Sequence, residues 1–519
     1  MKKNIVIALI LPLVCILGYS CKTDGATYAI NDCPFVMPKI EQPTIPNRKY
    51  DIQDYGAVPN GITDNTVAIN KAIEECSKNG GGIVVVPQGL WLTGPIKLKS
   101  HIELHLEEGA VVTFSRNLQD YPLVRTYFEG WECVRCQSPI SGRDLHDIAI
   151  TGQGVFDGSG DAWRPVKKSR SSINEWDRLI ESGGVLNETK DVWLPSESSL
   201  YGHNNTVQGY LYPNAPIEAH ELFRDYLRPN MFSLINCERV FLEGVTFQNS
   251  PCWTIHPFDC SHIIIDGVKV RNPWYAQNAD ALDLESCRIG LIQNCTFDTG
   301  DDGICIKSGK NKEGRDRDKP TELFVFRNNK VFRSHGGFVI GSEMSGGARN
   351  LYLTNCSFID TDMGFRFKSN RNRGGVVENI YIDGVYMSNI LKHAIFFGMD
   401  YVGLSAFPAK EETKIESFDR REDIIANDST PIFRNFIIEN VYCSKALNAI
   451  TMLGLEEMPL KQITIKNSVI HANTGVYLKD VKDISLDSVN IICNSELQYD
   501  TLRATGVIKR NTYINNNKP

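Results

Sequence analysis

The sequence predicts an all-β chain wound as a single-stranded, right-handed parallel β-helix with a short N-terminal capping helix. Three observations predict it. A phrase of alternating apolar residues, a turn residue and a second alternating pair recurs through the C-terminal two-thirds, as in VFLEGVTF (240–247), IIIDGVKV (263–270), GLIQNCTF (290–297) and NIYIDGVYM (379–387). The turn residues are Gly244, Gly267, Asn294, Asn328, Asn355, Gly384, Asn440, Asn467 and Ser488, separated by 23, 27, 34, 27, 29, 56, 27 and 21 residues. No helix-period segment lies between the phrases. Period-two alternation makes each phrase a pair of strands, and Gly or Asn supplies the left-handed bend between them. Repeats of this length stack coil on coil, each burying its apolar face on the next. Leucine-rich repeats, the competing solenoid, need a Leu-rich consensus of fixed length that is absent. The gap of 56 is expected to hold two coils, one obscured by an insertion near 401–430.

The elements follow in chain order. Residues 1–20 (MKKNIVIALILPLVCILGYS) carry two lysines, an apolar stretch and small residues before Cys21, the layout of an export signal. A Cys directly after the small residues resembles a bacterial lipoprotein signal with Cys21 as the lipidated first residue, although Gly18 stands where such signals carry an aliphatic side chain. Ordinary secretion with cleavage near Cys21 is the alternative. The expectation is an exported protein, held at a bacterial envelope as a lipoprotein or released to the periplasm or beyond. Residues 21–49 are expected to be a linker, 50–495 the coil, and 496–519 a C-terminal tail. Near the start of the coil, Thr63 or Asp64 is placed to cap a helix with apolar Val67, Ala68, Ala72 and Ile73, ended by Gly80–Gly82. Such a helix covers strand edges that the open end of the coil exposes. Residues 160–230, with Trp163, Trp176 and Trp193, break the rhythm and are expected to be an elaborate loop rather than a second domain.

Composition sets further limits. With 519 residues, 42% hydrophobic and 23% charged, the chain buries a large core and is not a disordered class. A net charge of -7 argues against a nucleic-acid binder. Beyond the extreme N-terminus no apolar run approaches the roughly 18 residues a membrane span needs, so a membrane enters only through a lipid anchor. Setting aside Cys15 and Cys21, 13 cysteines remain, an odd number. Cys295, Cys305, Cys356 and Cys443 lie in apolar strand-like runs and are expected to be buried thiols. Cys133 and Cys136 form a CVRC pair suited to a disulfide or half a metal site, but no second pair or matching His pair follows. No metal site and no cofactor are expected.

Chemistry-bearing residues concentrate between Asp280 and Lys368. NADALDLES holds Asp280, and TGDDGICIKSG holds Asp301 and Asp302 on the neighbouring coil. Adjacent residues of a straight strand point to opposite faces, so both aspartates reach solvent only at a bend, which Gly300 and Gly303 permit. SHGGFVIGSE then offers His335, and RFKS offers Arg366 and Lys368, two apart and on one strand face. Crowded carboxylates raise one another's pKa, so that one keeps a proton for a leaving oxygen while ionised partners activate water. The two cations suit an anionic substrate. Each residue alone also has a plain structural explanation, as a turn aspartate, a turn histidine or a solvated strand face. Their order on consecutive coils is what carries the functional reading.

At these residues the sequence resembles glycoside hydrolase family 28, the polygalacturonases and their relatives. The family's four ordered signatures, N-T-D-like, G/Q-D-D, G-H-G and R-I-K, appear as NAD (278–280), GDD (300–302), SHGG (334–337) and RFK (366–368). Ala279, Ser334 and Phe367 depart from the pattern without touching a charged or imidazole group. The opening YGAVPNGITDNTVAINKAI also looks like the family's N-terminal cap, so the resemblance spans roughly 50–495. It implies a pectate lyase-like coil that hydrolyses galacturonate-containing pectin with inversion. Asp301 would be the general acid, Asp280 and Asp302 would hold and deprotonate the water, and His335 would tune the acid. Arg366 and Lys368 would bind the galacturonate carboxylate. Inverting glycosidases hold acid and base about 6.5–9.5 Å apart, and adjacent coils at about 4.8 Å are compatible with that. The two insertions either wall off one end of the cleft, which favours attack from a chain end, or are decoration of the coil; exo-action is the expectation. Rival readings are a relative acting on rhamnogalacturonan or xylogalacturonan, a calcium-dependent pectate lyase, and a non-catalytic β-helix adhesin.

Overall fold

The computed structural model describes residues 26–212, 214–401, 425–494 and 498–516; the leader with Cys21 and the centre of the 401–430 insertion lie outside them. Thirty-two strands form one parallel ladder system in which each strand pairs with its counterpart one coil later. The coil is the right-handed parallel β-helix that the repeat predicts. On the face that matters for function, Ile140–Arg143, Phe232–Ile235, Ile255–Phe258, Leu282–Glu285, Ile304–Lys307, Phe338–Ile340, Met363–Lys368 and Ile390–Gly398 stack in succession. All nine turn residues read from the repeat adopt positive φ, from 49° at Asn355 to 75° at Gly244. The missing Cβ of Gly and the local polar bonding of Asn and Ser let these residues occupy that region.

The core is the inside of the coil. Alternation sends Phe365 and Phe367 inward and Arg366 and Lys368 outward, and the inward rings pack in file, Phe367 lying 4.6 Å from Phe397 and 5.2 Å from Phe436. Phe367 therefore fills core volume, which explains why an aromatic can stand at that position without disturbing the cations beside it. Cys287, Cys295, Cys305, Cys356 and Cys443 are buried free thiols, and Cys133 and Cys136 are free as well.

Four boundaries differ from expectation. Ile380 pairs directly with Phe436, so the 56-residue gap is one coil enlarged by an insertion and hides no further repeat. Residues 21–49 are more than a linker: Thr27–Tyr28 and Ile40–Glu41 form an antiparallel hairpin, with Ile30 and Ile40 buried against Ile264, Leu291 and Val325. The expected tail 496–519 contains strands Tyr499–Thr505, Ile508–Arg510 and Tyr513–Asn516, which add a further coil on Leu460–Cys493. The capping helix, α1, runs Thr66–Lys78 and buries Ala68, Ile69, Ala72, Ile73 and Cys76, whereas Val67 is 79% exposed. The N-cap is Asn65 rather than Thr63 or Asp64 and makes no side-chain capping bond; Asp64, one residue earlier, accepts the Thr66 N–H at 2.8 Å. The 160–230 insertion folds into two helices, Ile173–Glu181 and Glu197–Asn205, and a three-stranded sheet of Val166–Lys167, Val192–Leu194 and Val185–Leu186.

Candidate active site

All six residues singled out from the sequence meet on one outward face. The backbone places them by register. Ala281 N–H donates to Asp302 C=O at 3.0 Å and Thr254 N–H to Asp280 C=O at 2.8 Å, so the Asp280 and Asp302 turns sit one coil apart. Asp301 and Asp302 lie in the bend between Thr296–Asp298 and Ile304–Lys307. The two glycines flanking the pair serve close packing here. A Cβ on Gly300 would lie 2.6 Å from the carbonyl oxygens of Pro273 and Trp274, and one on Gly303 2.4 Å from Val331. His335 occupies the equivalent bend of the next coil, its N–H donating to Asp301 C=O at 2.9 Å. Val339 pairs with Arg366 in the strand register, which brings RFK onto the following coil.

One oxygen from each of Asp280, Asp301 and Asp302 lies within 4.8 Å of the others. That is closer than the acid–base gap expected from the sequence. The physical reason is that all three leave tight bends at the same corner of consecutive coils, rather than facing one another across a cleft. Two oxygens at that separation suit a single water, which spans them with hydrogen bonds of about 2.8 Å at a near-tetrahedral angle.

The three carboxyls have different electrostatic surroundings. Asp280 is 3% exposed and its Oδ1 has no hydrogen-bond partner. Burial, then repulsion from Asp283 and Asp301, pushes its pKa well above the ordinary carboxyl value, so it keeps a proton. Burial also opposes ionisation of Asp301, but the His335 imidazolium, the Asn278 N–H and Lys368 outweigh it and hold that carboxyl well below the usual range. The contacts are His335 Nδ1 at 3.1 Å and Asn278 N–H at 2.9 Å. The charge of Asp301 in turn raises the His335 pKa against the effect of burial. For Asp302, the penalty of burial is overcome by Lys368 and Arg366, whose Nζ and Nη1 donate to its two oxygens at 2.8 and 2.9 Å.

The two cations therefore do more than the sequence suggested: besides facing the cleft, they hold Asp302 ionised. The rings and charges around them also include residues that the motif reading did not single out. Tyr401 lies 5.8 Å from the Arg366 guanidinium and 5.4 Å from Lys368 Nζ. Lys307 Nζ bonds Glu343 at 3.0 Å, stands 3.6 Å from Asp283 and sits 4.6 Å over the Trp253 ring. The outward phase of the alternating strands LDLE and ICIK was the available signal for Asp283 and Lys307. Tyr401, Lys307, Glu343 and Trp253 join the six residues in lining a cleft of about 250 Å³, and Asp283 is fully buried behind its wall. Its donor set does not favour a cation site at the aspartate trio, because both Asp302 oxygens already accept from cations and Asp301 from the imidazole.

Comparison with known proteins agrees with this geometry. The model of glycosyl hydrolases family 28 matches residues 198–427, and one described as rhamnogalacturonase A/epimerase, pectate lyase-like, matches residues 50–106. The crystal structure of an exopolygalacturonase from Thermotoga maritima superposes with a TM-score of 0.69 at 30% identity, covering 87% of this chain and 93% of that one. A Vitis vinifera protein named as a probable polygalacturonase is 28% identical over 80% of this chain and 73% of its own. An exo-poly-α-D-galacturonosidase of Dickeya chrysanthemi is 25% identical over 73% of this chain and 62% of its own. With 30% identity sustained over nearly the whole of both chains, and an acid–imidazole–cation face built at matching motifs, the chain belongs to glycoside hydrolase family 28.

Proposed function

We propose that the protein hydrolyses α-1,4-galacturonosidic bonds of polygalacturonate or its oligosaccharides, working from a chain end and inverting the anomeric centre. The observation that carries this is the single face on which three carboxyls, one imidazole and two cations converge. The relatives named as exopolygalacturonase and exo-poly-α-D-galacturonosidase support the substrate and the mode of attack. The folded insertion of residues 160–230 reaches the cleft wall through Arg228, which donates to Gln277 C=O and Asn278 Oδ1, and an insertion at that place suits attack from a chain end.

In this reading Asp301 and His335 hold one proton between them. The imidazolium–carboxylate pair of the empty site is converted to imidazole and carboxylic acid as the proton crosses the 3.1 Å hydrogen bond, and Asp301 then protonates the leaving oxygen. Asp302, ionised, takes the proton of the attacking water, while Asp280 helps to hold that water. Arg366 and Lys368 receive the substrate carboxylate at the edge of the same network. A second reading, action on a branched pectin such as rhamnogalacturonan, has the support of the match at residues 50–106.

The test is incubation of purified protein with polygalacturonate in the presence of a chelator. Reducing ends are followed together with ultraviolet absorbance of unsaturated uronides, product sizes and the anomeric proton spectrum of the first products. Reducing ends rising without absorbance, short products from the outset and a first-formed anomer opposite to the substrate's are expected. Absorbance that disappears with chelator means a calcium lyase instead, and activity confined to branched pectins selects the second reading.

The leader belongs to the proposal as well: export, with Cys21 as the lipid attachment site. Expression in a bacterium followed by mass spectrometry of the mature N-terminus checks it. A diacylglyceryl-modified Cys21 is expected, and an unmodified N-terminus refutes it.

A further inference from the structure

The insertion encloses a second cavity of about 520 Å³, larger than the aspartate cleft and lined by Arg116, Arg164, Arg170 and Arg178. Trp193 and Tyr275 supply aromatic surface to its wall. The acidic side chains that line it are already engaged. Asp161 pairs with Arg116 at 2.8 Å, and Glu175 accepts the Ser172 N–H at 2.8 Å in a helix capping box. Arg170 and Arg178 make no ion pair among the described residues. Arg164 is 2% exposed and anchored at the base, donating to Ser250 C=O at 2.5 Å and to Asn249 Oδ1 at 2.8 Å. Its Nε has no partner, and no carboxylate of the described residues lies within ion-pair distance of it. A buried guanidinium without a counter-ion is costly, and an anion that enters the cavity offsets that cost.

Register shows where the cavity lies relative to the trio. Thr113, Asp157, Gln248, Arg271 and Asp298 pair in succession on one ladder. Asp161 and Tyr275 therefore follow Asp157 and Arg271 by the same offset at which Asp302 follows Asp298. The cavity thus lies at the same corner of the coil as the catalytic bends, one to three coils towards the N-terminus. At about 4.8 Å per coil this is a distance of roughly 5–14 Å, the reach of one to three sugar units. Tyr275 also stands two residues before Gln277, which lines the aspartate cleft.

We propose that this cavity is a distal anion subsite, contributed by the chain's own insertion, that takes the carboxylate of a uronic acid unit on the N-terminal side of the cleaved bond. Arg170 and Arg178 grip the carboxylate, Arg164 supplies fixed charge from below, and Trp193 with Tyr275 faces the sugar ring. The subsite makes the enzyme select substrates long enough to reach it. This rests on the galacturonan reading of the cleft.

The experiment compares wild-type protein with the double variant Arg170→Gln/Arg178→Gln, whose substitutions fall on solvent-accessible positions of the insertion. For each, kcat/KM is measured on galacturonate oligomers of increasing length. Wild type is expected to gain with length until the cavity is filled. The variant should lose roughly tenfold or more on the long oligomers and match wild type on the shortest one cleaved, since each lost contact is a charge-assisted hydrogen bond. A loss equal at every length, or none at any, overturns the proposal. Titration calorimetry of the longest oligomer separates this result from failure of the parent reading. Binding weakened roughly tenfold in the variant upholds the subsite even if neither protein turns the oligomer over. Equal binding by both proteins, or none by either, refutes it.

Discussion

Asp280 provides a test in which stability and activity move in opposite directions. Its carboxyl is 3% exposed, one oxygen lacks a partner, and it lies within 4.8 Å of oxygens of both Asp301 and Asp302. Asp283, also buried, adds a further acidic neighbour. In the unfolded chain Asp280 ionises near the usual carboxyl value of about 3.9. In the folded chain, burial and its acidic neighbours keep the proton on well above that value. Folding therefore binds a proton that the unfolded state has given up, and by linkage its contribution is fully present below about pH 3.9 and is lost as pH rises through the folded pKa. Asp280→Asn keeps the shape, removes the titration and brings an N–H₂ donor to the neighbouring carboxylates. The variant should gain about 1–3 kcal/mol at pH 7–8, the scale of relieving a buried unsatisfied polar group, with little gain near pH 4. In a chain of this size that is a rise of no more than a few degrees in Tm, so denaturant titration across the pH range is the better assay. The same protein should lose about 10²-fold in kcat, the scale of misplacing the attacking water that Asp280 helps to hold. A variant less stable than wild type at pH 8, or equally stabilised at pH 4 and pH 8, refutes the account of Asp280 as a buried, proton-holding carboxyl.

Two further outcomes follow from the same network. His335 has its pKa raised chiefly by the Asp301 charge, so kcat/KM should fall as pH rises through a value above about 6.5. In His335→Gln that alkaline limb should vanish and kcat fall by about 10² or more, which a pH–rate profile checks; an unchanged limb assigns it to another group. Lys368→Met removes one of two cations from the buried Asp302 and should cost about 2–4 kcal/mol in stability, somewhat below the loss of a sole partner because Arg366 remains. Adding Asp302→Asn should recover part of that loss. Additive effects of the two substitutions in denaturant titrations would mean the pair is not coupled.

Much of this was legible because a coiled solenoid translates sequence spacing directly into spatial neighbourhood. Gly244, Asn294 and Ser488 were identifiable as bends, since few other residues tolerate positive φ, and the structure places them there. The candidate face could be read from Asp280 to Lys368 because consecutive coils bring residues some 20–35 positions apart to one corner. What the sequence hid has physical causes too. Val67 satisfies helical periodicity but lies on the flank of α1 that faces solvent, which hydropathy alone does not reveal. The final coil at 499–516 is mostly exposed and polar, so it lacks the apolar alternation by which the others were recognised. Lys307 and Asp283 were obscured for the opposite reason: they sit within runs that look like ordinary core strands, and only strand phase brings Lys307 to the cleft with Asp283 beside it. The arginine cavity was invisible because its walls come from residues 116 to 275, brought together by an insertion without a repeat.

The distribution of protons in the empty site bears on how substrate is used. The carboxyl assigned as acid, Asp301, is held low by its neighbours, while burial and repulsion push Asp280 beside it up; catalysis needs a proton moved onto Asp301. The cause of the resting state is the positive field of His335, Lys368 and Arg366 acting on Asp301 and Asp302. A galacturonate carboxylate that binds Arg366 and Lys368 neutralises part of this field and adds negative charge nearby. Both effects raise the proton affinity of Asp301, drawing the proton across from His335, and make Asp302 a stronger base towards water. The substrate's own charge would then convert a resting ion-pair network into an acid and a base at the moment of binding. A neutral sugar at the same position lacks that charge. It should lose kcat as well as affinity, whereas a carboxylate used for anchoring alone would leave kcat unchanged when removed. Comparing a galacturonate oligomer with its carboxyl-reduced counterpart, at saturation, distinguishes the two.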